Sequence, residues 1–461
     1  MSSSISQRRI VITGVGLVSP LGNSKESLWA HLTDGQSGVT DYAAFEASGI
    51  ATQYAALARE FTGTIDDFGD LEKDQKKMIR KGLKIMSRET QMGVAAAQSA
   101  MQDAAISLNT HIPERSGCLF GTDYMLTVPE DFVDAIQACS ENIDEHSSSV
   151  SRPQQGGKHL QQDSKQFVFS RWGGDGLSQM TPLWLLKYLP NMPASHVAIY
   201  NDLRGPNNSL TMREAAANLA IGEAFFTIER GNADLILVGA TGTRIHPMNA
   251  IHAMQQEEVA NGDFPADAAS RPFDRDRCGM VLGEGAAAVI LEELSVARAR
   301  GAKIYGEVVA RGASTVLSPT GVADSQKALQ NALAALLRSA ELRVEDIGHI
   351  HAHGISTRRG DSEEALAINA VFGSRSTPCP VTAAKSYFGN LGAGSGMVEL
   401  ISSLLAIEHD VLPGVMNYEN PAPECPLLGV SSEQQRAGTS FVSLSVTPQA
   451  QAAAIYVRAV R

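Results

Sequence analysis

The sequence has little of several features that define whole classes of protein. No run of about 18 or more apolar residues occurs among its 461 residues, so a membrane-spanning helix is not expected. The N-terminal residues MSSSISQRRIVITG lack an apolar segment followed by a small-residue cleavage site, which disfavours secretion by a standard signal peptide. The five cysteines are widely separated, odd in number and form no CxxC pair. These absences favour a reduced, cytoplasmic protein without structural zinc.

Positive charge is also scarce. The chain has 38 Lys and Arg against 50 Asp and Glu, a net charge of −12, whereas a general nucleic-acid binder needs clustered cations to neutralise phosphates. Hydrophobic residues make up 43% of the chain and charged residues 19%, which excludes a disordered or collagen-like protein. The length predicts two or three domains and is ample for a large buried core.

Strand-like and helix-like tracts alternate along the chain, which favours an α/β fold. The predicted strands are 9–16, 234–239, 280–291, 347–353, 380–384, 441–446 and 453–457, and the predicted helices are 87–106, 213–230, 324–342, 361–372 and 396–407. The two halves share an order of elements but no repeat of residues. The tract 141–165 is rich in Ser, Gln, His and Gly and is predicted to be a surface insertion.

Two glycine-rich tracts are candidates for binding loops. Gly14 and Gly16 follow a predicted strand, but a dinucleotide-binding loop needs another glycine at position 19, which is Ser19. A tight turn is therefore predicted there. The glycines of 392–396 precede a helix, where they either cradle an anion or let the backbone pack closely against a strand.

Three histidines alternate within one predicted strand, His349, His351 and His353. A period of two places them on one face of the strand, so a metal site is geometrically possible. The sequence suggests no fourth ligand, however. A single functional histidine at His353 is favoured, since that residue precedes a glycine turn.

A basic cluster stands out in this otherwise acidic chain. It fits either a solvated helix face or a docking patch for an acidic partner. Its members are Lys73, Lys76, Lys77, Arg80, Lys81 and Lys84.

Several tracts together resemble the β-ketoacyl-acyl carrier protein synthases, which are condensing enzymes with a thiolase fold. The tracts that carry the resemblance are 11–22 (VITGVGLVSPLG), 203–209 (LRGPNNS), 220–224 (AIGEA), 231–241 (GNADLILVGAT), 271–294 (RPFDRDRCGMVLGEGAAAVILEEL), 300–308 (RGAKIYGEV), 351–361 (HAHGISTRRGD), 383–399 (AAKSYFGNLGAGSGMVE) and 412–421 (LPGVMNYENP). Their order and spacing match along nearly the whole chain.

The resemblance implies a thiolase-like α/β fold. Two similar halves, 1–295 and 296–461, are expected to hold a mixed five-stranded sheet each, in an α-β-α-β-α arrangement of five layers. It also implies a dimer that forms through strands of the N-terminal half.

The position of the family's nucleophile is altered in this chain. In the family, a Cys whose thiol pKa is lowered by a helix N-terminus is the tenth residue from the Gly of a Gly-Pro pair. Counted from Gly205, that residue is Glu214, and no cysteine is near it in the sequence. A carboxylate accepts an acyl group only as an anhydride, so the usual two-step condensation is not expected.

The remaining site positions match in part. The family's first catalytic histidine corresponds to His353, and its second falls at Asn390, which still offers a hydrogen-bond donor. Lys385 and Glu399 match a structural Lys–Glu pair. The family's glycine-rich loop, which supplies a backbone N–H to the oxyanion hole, corresponds to 441–448, where no glycine occurs. An altered oxyanion hole is therefore expected.

Three functions remain open. The first, which is favoured, is a non-condensing partner of an active ketosynthase, like a chain-length factor, because such a partner needs the fold and the interface but not the chemistry. The second is a malonyl-carrier decarboxylase that makes starter units. It requires a protonated Glu214, since an ionised one would repel a malonyl carboxylate at ~4 Å by about 4 kcal/mol at an effective dielectric near ~20. Burial that raises the pKa of Glu214 would provide that state.

The third function uses Glu214 as a general base beside His353 on an acyl thioester. All three imply an acidic acyl carrier protein as partner, with a phosphopantetheine arm as the substrate carrier and no bound cofactor or metal. The basic cluster at 73–84 is the candidate docking face for that carrier.

Overall fold

The computed structural model describes residues 8–43, 49–108, 110–142 and 165–460. Most of the insertion predicted at 141–165 lies outside the described residues. The strands are β1 (Ile10–Val18), β2 (Val39–Asp41), β3 (Tyr54–Ala56), β4 (Ser116–Thr122), β5 (Ser140–Asn142), β6 (Lys165–Phe167), β7 (Asn207–Thr211), β8 (Leu235–Thr243), β9 (Leu282–Glu293), β10 (Gly306–Thr315), β11 (His349–His351), β12 (Val381–Thr382), β13 (Ser440–Val446) and β14 (Gln451–Arg458).

Helices cover most of the intervening chain. They are α1 (Lys25–Asp34), α2 (Lys73–Gly82), α3 (Arg88–Asp103), α4 (Glu130–Ala138), α5 (Leu177–Gln179), α6 (Met192–Tyr200), α7 (Ala216–Glu229), α8 (Pro247–Met254), α9 (Leu294–Ala299), α10 (Ser325–Ser339), α11 (Arg358–Phe372), α12 (Lys385–Phe388) and α13 (Ser395–His409). The predicted division into halves between 295 and 296 falls inside α9 and stays a prediction.

The main sheet has twelve strands, of which ten form two runs of five, while β3 pairs with β9 and β2 pairs with β3. The first run has the order β7-β4-β8-β9-β1, and the second has the order β10-β14-β13-β11-β12. A short antiparallel pairing of Ile10–Ile12 with Gly306–Val308 joins them. Both runs are mixed, because β4 is parallel to β7 and β8 while β9 is antiparallel to β8, and because β11 is parallel to β13 while β14 is antiparallel to β13. Two mixed five-stranded sheets are thus present, as expected.

Alternating burial along the strands produces five layers. In β8, Leu235 and Leu237 pack with the apolar residues of α3 and α6, whereas Ile236 and Val238 pack on the opposite face with those of α7 and α13. Side chains of a strand point alternately to the two faces, so this sheet is buried on both sides. The second sheet packs against α7 and α13 on one face and α10 and α11 on the other. The expected α-β-α-β-α arrangement is confirmed.

The tight turn predicted at Gly14 and Gly16 is wrong. Strand β1 continues through both glycines to Val18, with an irregularity in its pairing to β9 between Ile12 and Gly14. A Cβ atom on Gly14 would lie 2.4 Å from the carbonyl oxygen of Ala100, and one on Gly16 would lie 2.3 Å from that of Ala96. These glycines therefore let helix α3 lie directly against the strand.

Two further findings bear on the exclusions drawn from composition. Across the ranges that the structure describes, no helix is both long and apolar enough to cross a membrane. All five cysteines are free, and four of them are buried.

Candidate functional site

Glu214, the predicted counterpart of the family's nucleophile, lies at a strand-to-helix elbow. Strand β7 ends at Thr211, a 3-10 turn covers Arg213–Ala215, and helix α7 begins at Ala216. Arg213 has a φ of +51°, a conformation that side-chain-bearing residues rarely adopt. The side chain of Glu214 therefore lies at the N-terminus of α7, and only 3% of the residue is exposed. A helix N-terminus favours a negative charge there.

Glu214 belongs to a buried ion-pair network (the Glu214 network) with Arg244 and Asp123. Arg244 Nη2 lies 2.6 Å from Glu214 Oε1 and 2.7 Å from Asp123 Oδ2, and both partner side chains are about as buried as that of Arg244. Arg213 adds a second cation, with Nε 3.4 Å from Glu214 Oε2. Removing one member of such a buried network leaves an uncompensated charge, which is strongly unfavourable.

The charge state of Glu214 follows from these contacts. Burial opposes ionisation of the carboxyl group, but the positive charges of Arg213 and Arg244 outweigh it and hold the pKa well below its usual range. Glu214 is therefore a carboxylate at neutral pH. The raised pKa that the decarboxylase alternative requires is therefore absent, because two arginines that the sequence analysis did not identify lie beside the carboxyl group.

Asn390, the predicted counterpart of the family's second histidine, contacts Glu214 directly. Its Nδ2 donates to Glu214 Oε1 at 3.2 Å, while its Oδ1 accepts from Gly392 N at 3.0 Å and from Ser395 Oγ at 3.2 Å. The backbone of Asn390 is also hydrogen-bonded to the chain around the start of β9. Asn390 N donates to the Val281 carbonyl oxygen, and the Asn390 carbonyl oxygen accepts from Gly283 N. The side-chain amide of Asn390 is thus fixed in orientation, and one of its N–H groups donates a hydrogen bond to Glu214.

His353 lies beside Lys385. Lys385 Nζ is 3.3 Å from His353 Nδ1 and donates to the His353 carbonyl oxygen at 2.7 Å. Burial, and then the charge of Lys385, lower the pKa of His353 well below its usual range, so the ring is neutral. An ammonium group can only donate, so Nδ1 accepts and the proton is on Nε2. Such an imidazole offers an N–H to a carbonyl oxygen.

Lys385 is itself balanced by Glu399, and the two side chains are in hydrogen-bond contact with almost no exposure. Glu399 lies on α13, and Lys385 is the first residue of α12. Burial raises the pKa of Glu399, against the opposing charge of Lys385. Because Lys385 also donates to the His353 carbonyl oxygen, the Lys385–Glu399 pair connects α13 to the loop that contains His353.

The other two histidines of the strand are held in the core. His349 Nε2 and His351 Nδ1 both contact Ser403 Oγ, at 3.0 and 2.8 Å. The remaining nitrogens are also bonded, His349 Nδ1 to the Ala437 oxygen at 2.8 Å and His351 Nε2 to Ala384 N at 3.2 Å. Every ring nitrogen is satisfied, and among the described residues no cluster of three or more His, Cys, Asp or Glu side chains is arranged to hold a metal ion.

The glycines of 392–396 serve close packing. A Cβ atom on Gly394 would lie 2.2 Å from the carbonyl oxygen of Gly285, and one on Gly396 would lie 3.0 Å from the Ala217 side chain. The backbone of this turn therefore lies directly against β9 and α7. Of the two alternatives for this tract, the structure supports the packing one.

Most of the glycine-free segment 441–448, which the resemblance aligns with the family's glycine-rich loop, is strand β13. Strand β13 runs to Val446 and pairs with β14 up to Val446 and Ala452. Asn218 Nδ2, from α7, donates to Ser445 Oγ at 3.1 Å and is 3.4 Å from Ser443 Oγ. The segment is thus anchored to α7 just behind Glu214.

The basic cluster lies on α2 and the turn that follows it. Gln75 and Ile79 face the core, where Gln75 Nε2 bonds to Gln98, the Tyr200 carbonyl oxygen and Asn201. The cationic side chains point the other way, and only one makes an ion pair among the described residues, Lys76 to Asp66 at 3.6 Å. The exposed members are Lys73, Lys77, Arg80, Lys81 and Lys84.

Three residues of the site were missed by the sequence analysis: Asp123, Arg213 and Arg244. A signal for them existed, since Asp123 directly follows β4 and Arg244 directly follows β8. Strands β7, β4 and β8 are adjacent and parallel, so the residues after them meet at one edge of the sheet. Recognising the signal required the strand order, which the sequence alone did not provide.

Comparison with known proteins agrees with this architecture. The family profile of the β-ketoacyl synthase N-terminal domain matches residues 7–297, and that of the C-terminal domain matches residues 305–419. The 3-oxoacyl-[acyl-carrier-protein] synthase 2 of a Synechocystis species is 32% identical over 448 residues, which covers 96% of this chain and 95% of the relative. The ketoacyl synthase alpha subunit of the tetracenomycin polyketide synthase of Streptomyces glaucescens is 32% identical over 458 residues, covering 98% and 97%.

Solved structures give the same fold. A ketosynthase complex with a type II polyketide acyl-carrier protein superposes with a TM-score of 0.79 at 22% identity, over 99% of this chain and 100% of that one. The ishigamide ketosynthase/chain length factor gives a TM-score of 0.77 at 24% identity, again over 99% and 100%. Fold, family profiles and full-length relatives agree, and the chain belongs to the β-ketoacyl synthase family of fatty acid and polyketide biosynthesis.

Proposed function

We propose that this chain is a non-condensing, chain-length-factor-like partner of an active ketosynthase. The observation that carries the proposal is the ionised Glu214 at the nucleophile position, held by Arg244 at 2.6 Å and by Asn390 at 3.2 Å. Condensation needs a nucleophile that takes the acyl group as a thioester and releases it again. A carboxylate neutralised by a buried arginine is a poor nucleophile, and its acyl product would be an anhydride.

The same observation weighs against the two alternatives. A decarboxylase in which Glu214 imitates a bound acyl thioester needs a neutral carboxyl group, and the two arginines keep this one charged. A general base needs a pKa near the working pH, whereas that of Glu214 is lowered. Asn390 Nδ2 is also engaged with Glu214 and Met280 rather than free for an enolate oxygen.

The partners follow from the family and from the charge pattern. One structural neighbour is a ketosynthase in complex with its acyl-carrier protein, and another is a ketosynthase/chain length factor. For this chain we infer an acidic carrier protein, whose phosphopantetheine arm brings the acyl group, and a Cys-bearing ketosynthase as the second subunit. The exposed cations of α2 are the proposed carrier-docking face, and the free cysteines suit a reducing cytoplasm.

The experiment combines this chain with a Cys-bearing homologue from the same cell. We expect the two to co-elute as a complex and the products from malonyl-carrier protein to be longer, or more uniform in length, than those of the homologue alone. A stable homodimer that leaves every Cys-bearing homologue and its products unchanged would overturn the proposal.

Carbon dioxide release from malonyl-carrier protein by the chain alone is the second readout. We expect release at the background level. Release above background that disappears in His353→Ala would replace the proposal with a decarboxylase. Conversion of other acyl thioesters that disappears in Glu214→Gln would replace it with the general-base enzyme.

A further inference from the structure

A cavity lies at the edge of the first sheet that is opposite to the Glu214 network. Strands β4 and β8 begin at this edge with Ser116 and Leu235, and β9, which is antiparallel to β8, ends there beside Glu292. All three residues line the cavity, whose volume is about 370 Å³. Arg244 follows the other end of β8. At about 3.3 Å per residue, the length of β8 separates the cavity from the Glu214 network by roughly 30 Å.

Apolar side chains form much of the cavity wall. Ile106 and Leu235 are buried, whereas Ile112 is 62% exposed and Val296, on α9, is 37% exposed. The two exposed side chains therefore lie at the mouth of the cavity. Water beside such side chains is released when an apolar group takes its place, which favours binding. The volume is within the range of small-molecule sites, so the wall suits the apolar body of a small molecule.

Two arginines line the same cavity, and a carboxylate holds each of them in place. Arg115 donates through Nε and Nη2 to Asp234, with both contacts at 2.8 Å. Arg300 donates through Nε to Glu292 at 3.0 Å and through Nη1 to the Ala104 carbonyl oxygen at 2.7 Å. Both guanidinium groups are thus fixed in orientation before a ligand arrives, which lowers the entropy that binding costs.

The ion pairs at the cavity contain one cation more than they contain anions. Asp234 accepts a hydrogen bond from Arg8 as well as from Arg115, so two carboxylates, Asp234 and Glu292, are shared among three guanidinium groups. The hydrogen bonds from Arg115 outweigh burial and lower the pKa of Asp234 to about 2, so its charge is constant near neutral pH. Arg115 Nη1 donates to none of the described residues. A fixed guanidinium group with free N–H donors suits the carboxylate of a ligand.

We propose that this cavity binds a small amphipathic carboxylate with the chemistry of a medium-chain fatty acid. The carboxylate of the ligand accepts hydrogen bonds from Arg115, and its apolar body lies against Ile106, Ile112 and Val296. The excess positive charge disfavours a cationic ligand. This site goes beyond the proposed function and does not depend on it, because the cavity and the Glu214 network lie at opposite edges of the sheet.

Isothermal titration calorimetry of octanoate with the unaltered chain tests the site. We expect saturable binding that Val296→Trp weakens at least tenfold, because the larger side chain fills the mouth of the cavity. Leu366→Trp is the matched control, since Leu366 is a similarly exposed aliphatic residue on α11, and it should change the affinity less than twofold. The proposal is overturned if octanoate does not bind saturably, if Val296→Trp binds it as well as the unaltered chain, or if both variants lose affinity equally.

The contact with the carboxylate is tested by charge. Arg115→Gln should weaken the binding of octanoate at least fivefold and change that of 1-octanol, which has no charge, less than twofold. The control Arg436→Gln alters an exposed arginine that is paired with Asp410, and it should affect neither ligand. Equal octanoate affinity in Arg115→Gln and in the unaltered chain would overturn the assignment of the carboxylate to Arg115.

Hydrogen exchange locates the bound octanoate. We expect slower exchange in residues 110–116 and 294–300 and no change in the elbow, residues 207–220. Protection of the elbow alone would place the ligand beside the Glu214 network and would overturn the proposal. Neither result bears on complex formation with a Cys-bearing ketosynthase, so this site and the proposed function are tested independently.

Discussion

At the scale of single residues, the chemistry of this chain depends on the charge of Glu214. A carboxyl group buried alone would stay protonated, but here Arg244 supplies a direct ion pair and Arg213 a second positive charge. Asp123 balances Arg244 from the other side. The position predicted for the family's nucleophile is thus part of a charge-neutralised, buried ion-pair network.

The first prediction concerns that network. Glu214→Ala should lower the free energy of unfolding by about 3–5 kcal/mol, because it leaves buried arginines uncompensated. Formate should restore part of the loss by entering the vacated space beside Arg244, and formamide should not, since it carries no charge. Urea denaturation measures both effects.

The control for this experiment is Glu433→Ala, in which an exposed carboxylate is removed. We expect a change below about 0.5 kcal/mol there. A loss of similar size in both variants, or no effect of formate on Glu214→Ala, would contradict the role given to the network.

The second prediction concerns His349. Burial lowers its pKa to about 4, although the hydrogen bond to the Ala437 oxygen opposes this shift. His349 therefore becomes protonated near pH 6.5 in the unfolded chain but only near pH 4 in the folded chain. The stability that a neutral His349 contributes is present above about pH 6.5 and is lost as the pH falls toward 4.

Between pH 7 and pH 5, this one group should account for a loss of about 2 kcal/mol. His349→Gln should show a correspondingly smaller loss than the unaltered chain in urea titrations at the two pH values. The other titrating groups are common to both proteins and cancel in the difference. His111→Gln, which alters a more exposed histidine, serves as the control, and an equal loss in all three proteins would contradict the prediction.

At the scale of elements, two segments carry the predicted departures from a condensing enzyme. The elbow between β7 and α7 presents the carboxylate of Glu214. The segment that the resemblance aligns with the family's glycine-rich loop is strand β13, which pairs with β14 and is anchored to α7 through Asn218. The thiolase-like fold is present together with both features.

The third prediction belongs to helix α2. Lys77→Glu, Arg80→Glu and Lys81→Glu together should weaken binding of an acidic acyl carrier protein at least tenfold, because these cations are exposed on one face of the helix. Binding to the unaltered chain should weaken as salt is raised, since the attraction between exposed charges is screened. Fluorescence anisotropy with labelled carrier measures both.

A matched control reverses two exposed cations elsewhere, Lys327→Glu and Arg338→Glu on α10. Carrier affinity should not change by more than twofold. If the α2 and α10 variants lose affinity equally, the effect is one of net charge and the docking face is not on α2.

At the scale of the whole molecule, the open edge of the first sheet is the feature with the clearest consequence. Strand β7 ends that run, so one of its edges has no strand partner within the ranges that the structure describes. Ile199, on the neighbouring helix α6, is 65% exposed. An unpaired edge beside an exposed apolar side chain suits pairing with a second subunit.

The fourth prediction tests that edge. Ile199→Asp should weaken the dimer, whether with itself or with a Cys-bearing homologue, at least tenfold in analytical ultracentrifugation, with an unchanged circular dichroism spectrum. Leu428→Asp alters a side chain that is 87% exposed in the C-terminal half and should leave association unchanged. A dimer that survives Ile199→Asp intact would place the interface elsewhere.

The sequence by itself determined the fold class and predicted which positions differ from the family's site. Glu214, His353 and Asn390 were predicted without coordinates. The prediction used the alternation of strand and helix patterns, the order of the family tracts and the count from Gly205. All three can be read directly along the sequence. The same holds for Lys385 and Glu399, which the structure brings into contact. The predicted strands correspond to seven of the ten strands in the two runs, and β4, β7 and β10 were missed.

Only the tertiary structure decided the charge of Glu214. Arg244 is 30 residues away in the chain and Asp123 is still farther, and they meet because β7, β4 and β8 end at one edge of the sheet. Burial alone predicts a raised pKa for the carboxyl group, and nearby cations predict a lowered one. Which effect prevails depends on distances of a few ångström between residues remote in sequence, and only the folded chain fixes those distances.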